Sequence, residues 1–109
     1  MELQAVRKVK EQMSITDRTA EINKVLKKPN KYMTRYDFIY KVAALYYATN
    51  NVFIWPEYDN QGKLMALWPI NYKRFKIYEV DGKLVARFEL NHNHFYTIPY
   101  SQIIHLRNH

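Results

Sequence analysis

"PNKYMTRYDFIYKVAALYYATNN", residues 29–51, is the stretch on which the fold turns. Thr34 followed three residues later by Asp37 has the spacing of a capping box, in which each residue satisfies an orphan backbone donor of the other. A helix is therefore expected over about 35–49. Asn50 and Asn51 close it, because asparagine tolerates the left-handed backbone at a helix end. Only Arg35, Asp37 and Lys41 mark a wet strip, while Tyr36, Tyr40, Tyr46 and Tyr47 interrupt an otherwise apolar surface. Ala43, Ala44 and Ala48 leave room for a second element to approach. Such a helix should pack on one side and still present apolar surface on another.

Upstream, Pro29 stops an earlier helix, since proline cannot continue one and biases the preceding residue away from helical backbone. That helix is expected over about 17–27, with Ala20, Ile22, Val25 and Leu26 on one side and Ser14 with Asp17 as its cap. Residues 1–13 carry a weaker stripe of Leu3, Val6, Val9 and Met13.

Downstream the period changes to two. "VFIWPEY" (52–58), "KLMALWPI" (63–70), "RFKIYEV" (74–80), "KLVARFEL" (83–90), "FYTIPY" (95–100) and "QIIHL" (102–106) read as strands. Pro56 confines the far end of the first to an edge or a bulge. Asp81–Gly82 is the strongest hairpin signal. Helices followed by strands indicate an α+β fold. The expected architecture is two or three N-terminal helices, then an antiparallel meander of about six short strands packed against the long helix. One domain over 1–109 is expected, helical over 1–51 and sheet over 52–109.

Composition excludes several classes. The 109 residues are 48% hydrophobic and 16% aromatic, too apolar for a disordered chain. With no cysteine, disulfides and thiolate metal sites are excluded. The longest apolar run, 42–48, falls far short of the roughly 20 residues that span a bilayer, and no signal sequence is visible, so a soluble protein is expected. The net charge is +7, with ten Lys/Arg against five Asp/Glu in residues 1–41 and seven against five in 42–109. Such a basic half could meet nucleic acid, an anionic surface or an acidic protein, or could simply be a solvated face.

Catalytic chemistry finds little support. His92 and His94 share one side of "NHNH", but no third ligand accompanies them, and a polar turn is the better reading. His105 lies in a strand, where a histidine is more often hydrogen-bonded structure than catalyst. Ser14 and Ser101 stand in no nucleophile elbow, and two glycines make no phosphate loop. The sequence therefore reads as non-enzymatic, without catalytic residues, cofactor or metal. Its candidate interaction surface is on the long helix, around Phe38, Val42 and Leu45 or on the Tyr36–Tyr40–Tyr47 side. Lys73, Arg74, Lys76 and Arg87, interleaved with Tyr72, Tyr78, Tyr96 and Tyr100, are candidates for weak nucleic-acid contacts, although tyrosine and arginine equally mark protein interfaces.

The order of signals resembles the portal (head–tail connector) proteins of tailed bacteriophages. Pro29–Asn30 precedes a helix starting near Thr34, and Asn51 leads into a strand. Gly62–Lys63 marks a turn, Leu67–Trp68–Pro69–Ile70–Asn71 follows, and Ile104–His105–Leu106–Arg107 ends the pattern. The likeness covers about 22–109 and rests on order and spacing, not on any single motif. Where the family often has glycine before the asparagine, this chain has Asn50, which bears on the local turn alone. The resemblance implies an N-terminal fragment of a larger portal chain, encoded by a phage or prophage. It further implies a structural role in a dodecameric ring at one capsid vertex, assembled in the host bacterial cytoplasm and carried in the virion. DNA is packaged and ejected through that ring, which docks terminase and tail proteins, and ATP hydrolysis belongs to the terminase. The alternatives are a small basic α+β nucleic-acid-binding domain and an adaptor that binds another protein through its tyrosines.

Overall fold

The computed structural model describes residues 20–107. The stripe expected over 1–13, the Ser14–Asp17 cap and His109 lie outside them. A first helix, α1, occupies 20–27 of the described residues, and α2 spans Arg35–Thr49. Six strands follow: β1 (Asn51–Tyr58), β2 (Leu64–Pro69), β3 (Arg74–Val80), β4 (Lys83–Glu89), β5 (Phe95–Pro99) and β6 (Ile104–Arg107).

The local chemistry of α2 accounts for both of its ends. The Thr34 N–H donates to Asp37 Oδ2 and the Asp37 N–H to Thr34 Oγ1, each at 3.1 Å. The Thr34 backbone N–H is the main cause holding the Asp37 carboxyl below its ordinary value. At the other end Asn50 takes φ 59°, left-handed, and its N–H donates to Tyr46 O. Asparagine thus does here what glycine more commonly does.

The strands do not form one meander against a long helix. They split into two three-stranded antiparallel sheets, ordered β2-β1-β6 and β3-β4-β5. The second sheet is itself a meander, inserted between β2 and β6, and the chain then returns to lay β6 beside β1. Geometry explains why the expected single sheet fails. Six strands at about 4.8 Å spacing make a sheet about 24 Å wide. A helix about 10 Å across cannot cover it, and α2 is a short helix of 15 residues. Folding the last sheet over the first supplies the missing cover.

The core records this arrangement. Val52 and Ile54 pack with Val25, Phe38, Leu64 and Leu67 beneath the helices. Phe53, pointing the opposite way on β1, packs with Ala86 and Phe88 of the second sheet. Three successive residues of β1 are therefore buried, which is possible only for a strand covered on both faces. Between the sheets, Phe53 lies edge-on to Tyr72, Phe75 and Phe88 at centroid distances of 5.5, 4.8 and 4.8 Å.

Turn residues fix the registers. Val80 pairs with Lys83, so Asp81–Gly82 forms a two-residue turn, with φ 51° and 81° as a type I′ hairpin requires. In β1, Pro56 lies opposite Leu67, whose own N–H and C=O point outward to the Pro29–Asn30 segment. That makes it a non-hydrogen-bonded pair, so the missing N–H of Pro56 faces the other side. There β6 has already ended, since its pairing stops at Ile54 with Ile104.

Candidate functional site

Among the described residues the chemistry of a catalytic site does not assemble. His105 pairs with Phe53 across β6 and β1, and its ring stacks on that phenyl at 4.1 Å and 18°. Its Nε2 lies 2.8 Å from Asn51 Oδ1, an acceptor, so Nε2 carries the proton. The Tyr100 hydroxyl then donates to Nδ1 at 2.7 Å. Both nitrogens of the neutral imidazole are occupied, leaving neither free to act as a base. Ser101 sits exposed in the 3-10 turn Tyr100–Gln102. No helix of the described residues is long and apolar enough to cross a membrane.

Burial, and then the nearby Arg107, push His105 below the ordinary histidine value of 6.5. The folded state thus binds this proton less readily than the unfolded chain does. Stability from the neutral ring is complete above the unfolded value and is lost as the pH falls through 6.5 towards the folded one. The expected outcome is a melting temperature that drops between about pH 7 and about pH 5, with a smaller drop in the His105→Gln variant. Equal pH profiles from the two proteins, followed by circular dichroism, would rule this out.

The surfaces singled out from the sequence fall in two places. Tyr36, Tyr40 and Tyr47 lie within about 40° of one another around α2 at 3.6 residues per turn, and are 84%, 78% and 85% exposed. Phe38 points the opposite way and is buried. Val42 and Leu45 flank it, half-buried against the helix-side core. Periodicity separates these sides, but with apolar residues on both it could not say which one the fold would use. Ile39, 49% exposed, widens the outward stripe.

The basic residues gather on the outer face of the second sheet. Lys76 stands directly opposite Arg87 across β3 and β4, and Arg74 opposite Glu89, with its Nε 3.3 Å from Glu89 Oε2. The Arg87 guanidinium lies 4.2 Å from the Phe95 ring centroid. Lys73, just before β3, is exposed and donates its backbone N–H to Glu89 O. Like charges directly opposite in a ladder are destabilising, a cost that the Arg87–Phe95 contact offsets in part.

Two features escaped the reading of the sequence. One is the Asn51–His105–Tyr100 chain, whose members lie up to 54 residues apart. The other is an apolar groove of about 500 Å³ between the sheets, lined by Trp55, Trp68, Ile70, Phe88, Tyr96 and Ile98 among others. Nothing local in the sequence joins these residues.

The motif positions occupy the architecture in a definite way. Pro29–Asn30 flank β2, Thr34 caps α2, Asn51 opens β1, and Ile104–His105–Leu106–Arg107 form β6. The family description "Phage portal protein" matches residues 1–109, the whole chain. The chain belongs to the phage portal protein family. Portal proteins are structural and non-enzymatic, and a portal-related structural role follows for this chain. No curated protein matches it at the significance required.

Proposed function

We propose that these residues are part of the outer body of a portal ring, within a longer chain, and that the ring is a dodecamer through which DNA enters and leaves the capsid. The observation that carries the reading, beyond family membership, is the outward stripe of α2. Tyr36, Ile39, Tyr40 and Tyr47 are large, exposed and continuous, whereas scattered single apolar residues would be ordinary on a surface. Tyrosine is enriched at protein interfaces because it combines a rigid apolar ring with a hydroxyl that tolerates water. A neighbouring subunit or a further segment of the same chain covers this stripe in the assembled ring.

In this reading the ring meets terminase, capsid and tail proteins, is built in the host cytoplasm and ends in the virion. DNA in transit touches this part weakly and without sequence preference, through Lys73, Arg74, Lys76 and Arg87. The test is negative-stain electron microscopy of the intact reading frame. Rings with a central channel are expected, and the Tyr40→Glu variant should yield fewer of them. A gene product that ends near His109 and remains a small monomer would overturn the proposal.

A further inference from the structure

We propose that the outer edge of β5 accepts an extended segment of another polypeptide as a fourth strand, one that alternates apolar with acidic side chains. Among the described residues β5 pairs with β4 alone and so ends its sheet. The groove between the sheets is lined by four consecutive β5 residues, Tyr96, Thr97, Ile98 and Pro99. Alternate residues of a strand point to opposite faces, so a groove touching all four runs along the strand's edge and not beneath its face. Its inner wall is Tyr96 and Ile98, opposite Trp55 and Trp68 of the first sheet. Apolar side chains at every second position of an added strand would enter it.

The intervening side chains would emerge on the other face, beside Phe95 and Thr97. Arg87 lies directly opposite Thr97, and its guanidinium rests over the Phe95 ring, which carries the charge towards this edge. Lys76 stands behind it in the same row. A carboxylate there would relieve the Lys76–Arg87 repulsion and receive the paired donors that suit a guanidinium.

Charge argues that the occupant comes from outside residues 1–109, whether of this copy or of a second one. The described residues hold thirteen Lys/Arg and seven Asp/Glu. Five of those acids are already engaged: Glu21 with the Leu64 N–H, Asp37 with Thr34, Glu57 with Trp68 Nε1, Asp59 with the 59–63 turn, and Glu89 with Arg74. The other two, Glu79 and Asp81, sit at one hairpin end and cannot supply an alternating strand. Residues 1–13 carry three cations against two acids and fit no better. Nucleic acid would be held here only weakly, through its phosphates, because base stacking needs an open ring and Arg87 lies over Phe95.

The probe is a fluorescein-labelled nine-residue peptide alternating valine and glutamate, titrated with the 109-residue chain by fluorescence polarisation. Saturable binding is expected, weakened about tenfold or more by Arg87→Glu. The same charge change at Lys24→Glu, on α1, should have little effect. A valine–lysine peptide should bind the Arg87→Glu variant better than it binds the native chain. Tyr96→Arg, which puts a charge into the groove, should weaken the original peptide as well. Absent binding, or equal losses from Lys24→Glu and Arg87→Glu, would overturn the proposal. So would duplex DNA binding this edge more tightly than the peptide with the same Arg87 dependence, or self-association of the chain through this edge, because either assigns the face to a different occupant.

Discussion

Phe53→Ala is expected to destabilise the chain by about 3–5 kcal/mol, the range for emptying a buried aromatic site. A folded chain of this size is held by about 5–15 kcal/mol in total, so a large share of it depends on this residue. Phe53 is fully buried on the face of β1 that meets the second sheet, against Tyr72, Phe75, Phe88 and the stacked His105 ring. Alanine leaves a void bounded by both sheets, and neither can collapse into it without moving the other. Urea unfolding followed by tryptophan fluorescence provides the measurement, since Trp55 and Trp68 line the groove between the same sheets. Phe53→Leu keeps most of the volume and should cost clearly less, about 1.5 kcal/mol. A loss below about 1 kcal/mol for Phe53→Ala would mean that the sheets do not pack as described.

That residue also shows where the sequence was legible and where it was not. The ends of α2, its capping box and the Asp81–Gly82 hairpin are local devices, each written within a few residues, and they stand where the sequence places them. Sheet membership is different. β6 joins β1 by pairs such as Asn51 with Arg107, across more than fifty residues, and no turn residue announces such a return. One local signal for the split did exist. Val52, Phe53 and Ile54 form an unbroken apolar run where a half-buried strand would alternate, and such a run marks a strand covered on both faces. The candidate surfaces divide in the same way. Helical spacing set the Tyr36–Tyr40–Tyr47 stripe apart from Phe38, but the groove along β5 depends on tertiary packing alone.

The family resemblance follows this division. The quoted motif positions belong to the helices, the first sheet and their turns, and none lies within β3, β4 or β5. Pro29–Asn30 shows what such a motif does physically. Leu67 on the edge strand β2 turns its N–H and C=O outward, where an open edge would invite pairing with another chain. The N–H donates to Pro29 O at 2.7 Å, and the C=O accepts from Asn30 Nδ2 at 3.0 Å. The Asn30 side-chain oxygen then accepts the Tyr32 N–H at 3.0 Å. A donor and an acceptor on one short side chain are both needed, and Asn30 is 3% exposed, so water cannot replace them.

Asn30→Ala should therefore cost about 2 kcal/mol, the penalty for leaving a buried carbonyl without its donor. Asn30→Asp separates hydrogen bonding from shape. At neutral pH its carboxylate would set a second acceptor against the Leu67 C=O while burying a charge, so the loss should equal or exceed that of alanine. A protonated carboxyl can donate to that carbonyl, so the folded state of this variant favours the proton and its carboxyl titrates above the unfolded value. The folded form then binds more protons than the unfolded one, and stability relative to the native chain rises as the pH falls through that raised value. Urea midpoints for the native, alanine and aspartate chains across about pH 4–7 decide the matter. If Asn30→Asp shows no recovery in acid relative to the native chain, the amide is not the donor that closes the β2 edge.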